Sequence, residues 1–159
     1  MNTAKQVRFI YETYKKLKPG NTILELHGRQ KQNKRMAIFF TFQEKKFATL
    51  VTTNVASRGL DFPTIDWVLQ LDVPENVETY VHRIGRTARH KSAGKSMMFI
   101  SDYEMKFVDR LKDSSIEISE LKPNPQKMLT IKSSLESMLS ESNELKYLAQ
   151  RAFISYVKS

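Results

Sequence analysis

The residue pattern predicts an α/β fold, a parallel sheet with helices on both faces, followed by a helical extension. Apolar runs of strand length, such as Thr22 to Leu26 and Phe47 to Thr52, alternate with stretches whose apolar residues recur at helical spacing. Strands that alternate with helices pair in parallel and are covered on both faces. Several of the runs end in polar, basic turns, and open α/β sheets hold ligands beyond the carboxyl ends of their strands. Pro123 and Pro125 then interrupt the pattern, so residues 1–122 read as one α/β domain and 123–159 as a helical extension packed on it.

Taken in order, residues 4–18 place Val7, Ile10, Tyr14 and Leu17 on one helical face, and Lys18-Pro19-Gly20 stops that helix. Thr22 to Leu26 reads as a strand, and residues 30–43 as a second helix with Met36, Phe39, Phe40 and Phe42 inward or partly so. Strands are predicted at 47–52, 66–71 and 96–100, helices at 76–84 and 102–112, and a last short strand at Ile116 to Ile118. Beyond the prolines, Met128, Ile131, Leu135, Met138 and Leu139 form one apolar stripe. Leu145, Leu148, Ala149, Ala152, Phe153, Tyr156 and Val157 form another, and each stripe needs a partner surface. Leu148, Phe153 and Tyr156 are the expected anchors of that packing.

A formal charge of +9 over 159 residues favours a polyanionic partner, nucleic acid above all. No apolar run approaches the ~18 residues of a membrane span, which argues for an intracellular, soluble protein with no membrane partner. The absence of cysteine excludes disulfides and thiolate metal sites, and the three histidines, 27, 82 and 90, lack ligand spacing, so no structural metal is expected.

The segment Tyr80 to Arg89, YVHRIGRTAR, holds His82, Arg83, Arg86 and Arg89 around Gly85. In a helix Arg86 and Arg89, with Arg83, share one side, while Gly85 lets a backbone come close. Planar, permanently charged guanidinium forks suit the spread negative charge of a transferring phosphoryl group. A solvated basic helix end is the bland alternative. Upstream, TTNVASRGLD (52–61) follows an apolar strand and ELHGRQKQNKR (25–35) follows another, each a polar strand end. The GKS at 94–96 is no phosphate-binding loop, because position 89 is Arg where such a loop needs glycine and the following SMMFIS reads as a strand.

The His27-Gly28 pair, Gln32 and Arg35 spaced Q-x-x-R, TTNVASRGLD, DWVLQLDVP (66–74) and YVHRIGRTAR agree in order and spacing with one family. Together they resemble the second RecA-like domain of the DEAD-box ATP-dependent RNA helicases. The likeness covers residues 4 to about 101 and continues in LKYLAQRAFISYVKS (145–159), which is similar to the C-terminal extension of nucleolar ribosome-biogenesis members, especially a small-subunit branch. It implies a RecA-like parallel sheet whose first strand is missing from this chain. An interior strand's absence leaves ladder groups unpaired, so either the chain is a fragment or a preceding piece completes the sheet.

The resemblance also implies roles. Arg86 and Arg89 match arginine fingers at the ATP γ-phosphate, and His82 the residue that links the ATP site to the carboxylates of the other domain. Asp61 matches the acceptor from the ATP ribose, and Gly59 leaves room for the nucleotide. Gly28, Gln32, Arg35 and Thr53 match positions that hold the phosphates and sugars of single-stranded RNA, without sequence information. ATP with Mg2+ is the implied cofactor, the metal held mainly by the N-terminal RecA-like domain, which this chain lacks along with its Walker A loop and DEAD carboxylates. The implied function is the C-terminal half of an RNA-stimulated ATPase that remodels RNA duplexes in ribosome biogenesis, inactive in isolation. The implied partners are pre-ribosomal RNA, the N-terminal domain and pre-ribosomal assembly proteins, and the implied location is the nucleolus. A non-catalytic RNA- or protein-binding module on the same scaffold is the alternative. Two departures from the family pattern stand out: Asn54 where Asp is usual, and Lys91 where glycine is usual.

Overall fold

The computed structural model describes residues 1–57, 62, 65–87 and 94–159. The chain opens with helix α1 (Ala4–Leu17), whose start is fixed by a reciprocal cap: Gln6 N–H donates to Thr3 Oγ1 at 3.3 Å and Thr3 N–H to Gln6 Oε1 at 3.0 Å. It ends at Lys18 in the left-handed region (φ 48°), and Gly20 (φ 85°) supplies the turn that a side chain would strain. Strand β1 (Thr22–Leu26), helix α2 (Gln32–Glu44) and strand β2 (Ala48–Thr52) follow. β1 and β2 pair in parallel from Thr22↔Ala48 to Leu26↔Thr52. α1 packs on both strands and α2 on β1. The core beneath α2 joins buried Leu26, Phe39, Ala56 and Phe62, and the Phe39 and Phe62 rings meet edge-to-face at 5.1 Å. Phe40 is half exposed, so of the expected inward aromatics it stays largely outside.

A short 3-10 turn (Asn54–Ser57) leaves β2. Strand β3 (Trp67–Gln70), helix α3 (Val77–Ile84), strand β4 (Lys95–Met98) and helix α4 (Lys106–Asp113) make the second half. β3 and β4 pair in parallel, and a second core joins Tyr80, Phe107 and Leu111. The helix predicted at 102–112 is a 3-10 turn (Asp102–Glu104) followed by α4. The short strand predicted at Ile116 to Ile118 does not form. Instead Ser115 adopts φ 58°, its N–H donates to Lys112 O at 2.8 Å, and Ile116 N–H reaches back to Leu111 O at 2.9 Å. This 6→1, 5→2 pair closes α4 and folds Ile116 and Ile118 onto the second core, where they are of more use than as an unpaired strand.

The predicted α/β class with parallel pairing is therefore present, as two pairs of strands. Among the described residues β2 pairs only with β1 and β3 only with β4. Between the free edges of β2 and β3 lies a cleft of about 680 Å³, lined by both strands, by Ile10, Tyr14 and Phe42, and by Arg83 and Arg86. The first residues bridge the far end of this gap: the Met1 amino group donates to Thr52 O at 3.3 Å and Asn2 N–H to Asp72 Oδ2 at 2.7 Å. Burial pushes the Met1 amino group down to about 6, helped by the Arg83 charge and opposed by Asp72.

Helices α5 (Lys132–Glu141) and α6 (Asn143–Val157) complete the chain, α6 lying along α1 and against α5. α6 buries Leu145 and Ala152, with Leu148 and Ala149 partly covered beside them. The anchors expected from sequence are corrected here. Phe153 is 68% exposed and Tyr156 45% exposed, because the small residues Ala149 and Ala152 face inward and turn Phe153 about 100° away from that line.

Candidate nucleotide and nucleic-acid interface

Parallel pairing places the ends of β1 and β2 side by side, Arg83 ties the end of β3 to the turn after β2, and candidate residues gather there. At the end of β2, Thr53 is tied in on both sides: its N–H donates to Leu26 O at 3.3 Å, and its carbonyl accepts from Ala56 N–H at 3.3 Å. Thr53 thus sits at the entrance of the 3-10 turn, half-buried.

Arg83 is the hub of this edge. Its Nε donates to Asn54 Oδ1 at 2.8 Å, one terminal nitrogen to Asp72 O at 2.8 Å and Gln70 Oε1 at 3.3 Å, and the other to Asn2 Oδ1 at 2.8 Å. The side chain is buried, and burial lowers its affinity for the proton while Asp72 and Glu75 oppose that shift. One guanidinium thereby fastens the turn after β2, the end of β3 and the first residues to α3. Asn54, where the family pattern has Asp, still accepts from Arg83, so this departure keeps the bond and drops one charge.

α3 starts on Asn76, whose Oδ1 accepts from Thr79 N–H at 2.8 Å, and it ends at Gly85, whose N–H donates to Val81 O at 2.8 Å. A Cβ on Gly85 would lie 3.1 Å from that same carbonyl, which explains the small residue there. The segment then runs beside Ile65: Ile65 N–H donates to Arg86 O at 3.3 Å, and the Thr87 hydroxyl bonds Ile65 O. Arg86 lines the cleft and is half-buried. Both arginines line the cleft, Arg83 buried and bonded to three other segments, Arg86 half-buried at the helix end. His82 is half-buried, and its Nδ1 is enclosed with no hydrogen-bond partner among the described residues. Arg89, Gly59 and Asp61 lie outside the described residues, as does Lys91.

Beyond β1, a tight turn runs from His27 to Gln30: His27 N–H donates to Gln30 Oε1 at 3.0 Å, and Gln30 N–H to His27 O at 3.1 Å. Gly28 is exposed with open space around it, so nothing in the chain itself demands glycine there. Gln32 opens α2 behind Lys31, whose side chain makes no cap bond, so the helix presents its first N–H groups uncapped. Arg35 lies one turn on, half-buried, with its Nε enclosed and without a hydrogen-bond partner among the described residues. Gln32 and Arg35 share the face that their spacing predicts. Sequence reasoning did not foresee the structural role of Arg83 or its partners Gln70 and Asp72. A polar Gln and Asp at the end of an otherwise apolar strand was the one available signal.

A parallel α/β scaffold with a basic helix end and basic strand ends is the plan of a helicase domain. The chain belongs to the family described as Helicase conserved C-terminal domain, which matches residues 1–91. Its relatives are of the DEAD-box kind. It is 46% identical over 160 residues to the ATP-dependent RNA helicase DBP4 of Mycosarcoma maydis, covering 100% of this chain and 18% of that protein. It is 46% identical over 158 residues to the probable ATP-dependent RNA helicase ddx10 of Dictyostelium discoideum, covering 99% and 18%. The chain thus spans about a fifth of the length of the curated relatives it matches. Among solved structures, the DEAD-box helicase Mss116 bound to ssRNA and UDP-BeF superposes with a TM-score of 0.78 at 32% identity, over 98% of this chain and 31% of that one. Mss116p DEAD-box helicase domain 2 bound to an RNA duplex gives 0.71 at 34% identity, over 88% and 61%.

Proposed function

We propose that this chain acts as the C-terminal RecA-like half of an ATP-dependent DEAD-box RNA helicase of ribosome biogenesis. The observation that carries the reading is the position of Arg86, which leaves the end of α3 half-buried at the wall of the cleft between β2 and β3, beside an Arg83 that bonds Asn54, Gln70, Asp72 and Asn2. In the proposal Arg86 and Arg89 stabilise charge that develops on the ATP γ-phosphate, His82 offers its enclosed Nδ1 to the other domain, and Gly59 and Asp61 meet the ribose. Gly28, Gln32, Arg35 and Thr53 hold the RNA backbone, with the uncapped start of α2 adding N–H donors. Names of relatives that act as RNA helicases, and neighbours bound to ssRNA or duplex, support the substrate class. The resemblance to the nucleolar branch supports pre-ribosomal RNA and assembly proteins as partners and the nucleolus as location.

ATP supplies the phosphoryl group and the free energy; this chain's residues orient, neutralise and grip. In the proposal the accompanying Mg2+ is held mainly by the N-terminal RecA-like domain. Joined to a domain with a Walker A loop and DEAD carboxylates, the chain should show RNA-stimulated ATP hydrolysis. Arg86→Ala should cut that turnover at least about tenfold, and up to ~10³-fold, with RNA affinity in the absence of nucleotide little changed. Unchanged turnover removes Arg86 from the proposed site.

A further inference from the structure

Helix α6 leaves two rows of side chains uncovered. Its inner face, with Leu145 and Ala152 buried and Leu148 and Ala149 partly covered, lies against α1 and α5. At about 100° per residue, Tyr147, Arg151, Ile154 and Lys158 fall in one row on the outside. Lys146, Gln150, Phe153 and Val157 fall in the next. All of these positions are exposed, and Tyr147, Phe153, Ile154 and Val157 each show close to or more than half of their surface. Single apolar residues at a surface are ordinary, but four on two adjoining rows of one helix form a patch, and such patches mark contact sites.

The charge around the patch has one sign. Lys146, Arg151 and Lys158 stand within the two rows, and the one carboxylate of the helix, Glu144, sits back in its first turn. Lys5 of α1 feels the same cations: the Arg151 charge chiefly, with desolvation and the charges of Arg29 and Lys158, lowers it from its ordinary value. Among the described residues none of Lys5, Lys146, Arg151 and Lys158 lies within ion-pair distance of a carboxylate. Arg151 instead donates to the Tyr147 hydroxyl at 2.7 Å and lies over its ring at 5.4 Å. Like charges gathered beside an uncovered apolar surface suit a partner that is acidic and apolar at once.

Other occupants meet only part of this pattern. An RNA strand brings phosphates for the cations but nothing for the aliphatic Ile154 and Val157, and one face of the Tyr147 ring is already taken by Arg151. A second copy of this chain brings the same cations on a protein of formal charge +9. A lipid surface needs an unbroken apolar stripe, and Lys146 and Gln150 stand among the apolar residues. We propose that the outer face of α6 is a docking surface for an acidic amphipathic helix of another protein, its apolar stripe on Phe153, Ile154 and Val157 and its carboxylates on Arg151, Lys158 and Lys5. The proposal goes beyond the nucleotide and RNA roles above, none of which uses α6.

Phage selection on the full 159-residue chain tests it. The library holds helical peptides about five turns long, in which one stripe varies among Leu, Phe and Ser and its flanks among Glu, Lys and Gln. Enriched peptides should carry an apolar stripe with Glu flanks. One of them, made synthetically and labelled, should bind the chain in fluorescence anisotropy. Phe153→Ala with Val157→Ala should weaken that binding at least about tenfold, and Arg151→Glu with Lys158→Glu about as much. All four positions are exposed, so either pair should leave the fold intact, and should one pair disturb it the other still decides. No enrichment, enrichment of Lys-flanked or wholly polar peptides, or a peptide that binds both double variants as it binds wild type overturns the proposal. So does a loss, in the Phe153→Ala and Val157→Ala variant, of single-stranded RNA binding, of a dimer seen by sedimentation or of binding to phosphatidylserine vesicles, which would hand the face to RNA, to a second copy or to lipid.

Discussion

Helices α3 and α6 both combine an apolar stripe with basic residues, yet they settle in opposite ways. α3, eight residues long, buries Arg83 and gives it four neutral acceptors on three other segments. α6, fifteen residues long, buries Leu145 and Ala152 and leaves Phe153, Ile154 and Val157 outside. Burial in this protein follows the partners a position finds, not the hydropathy of the residue. A charged fork enters the interior where acceptors wait for it, and a phenyl ring remains in water where its helical angle points away from α1.

The sharpest way to break this contrast is to remove the polar anchor. Arg83→Ala removes one donor from the Asn54, Gln70 and Asn2 side-chain oxygens and the Asp72 carbonyl, with Gln70 and Asp72 themselves buried. The expected cost is roughly 3–5 kcal/mol, a fall in melting temperature of about 10 °C or more for a chain of this size. Arg83→Lys should recover only part of the loss, since an ammonium cannot reach the same acceptors as a planar fork. A shift of less than about 3 °C in thermal unfolding would show that Arg83 is no anchor. On the other side of the comparison, Leu145→Ala should cost about 2–4 kcal/mol through the cavity it leaves, if α6 is part of the cooperative fold. A melting curve unchanged by Leu145→Ala would place α6 outside it.

Much of this architecture is legible in the sequence, and the failures have physical causes. α1 and β1 fall where periodicity and the Pro-Gly stop put them, because their apolar residues and their punctuation agree. Thr53, Gln32, Arg35 and Arg86 reach the strand-end edge or the cleft because strand order fixes where parallel strands end. Ile116 and Ile118 mislead as a strand because two β-branched residues carry no information on whether a neighbour is free to pair; here a left-handed Ser115 folds them onto Phe107 and Leu111 instead. Arg83 could not be told from Arg86 by type or spacing. Only the positions of Asn54, Gln70 and Asp72 in three dimensions show Arg83 to be an anchor.

The polar edge around Arg83 also makes stability depend on pH. The Met1 amino group is pushed down to about 6 in the folded chain from an ordinary value of 8.0, mainly by burial. A depressed folded value means that the unfolded chain binds the proton more readily. The contribution is whole above pH 8 and is lost as pH falls toward 6, about 2–3 kcal/mol across that window. His27, lowered below its ordinary 6.5 by burial, continues the decline in the same direction at lower pH. Urea unfolding at pH 8 and pH 6 measures the difference, and a chain carrying residues ahead of Met1 should lose the upper part of it. Equal stability at the two pH values would mean that the amino group is hydrated in the folded state.

The smallest expected effect falls on the residue whose aromatic bulk suggests the largest. Phe153 sits in the middle of α6, and a buried phenylalanine truncated to alanine costs about 3–5 kcal/mol. Here the ring is 68% exposed, so its removal exchanges little protein contact for water, and alanine is the better helix former by a few tenths of a kcal/mol. Phe153→Ala should therefore shift stability by less than about 0.5 kcal/mol, roughly 1–2 °C in melting temperature. Measured beside Leu145→Ala, it separates two arrangements of the same helix. A small Phe153 effect with a large Leu145 effect confirms that α6 is seated on α1 through Leu145 and Ala152. A Phe153 loss as large as that of Leu145 would mean that α6 is rotated by about a quarter turn in solution, with the aromatic ring inside.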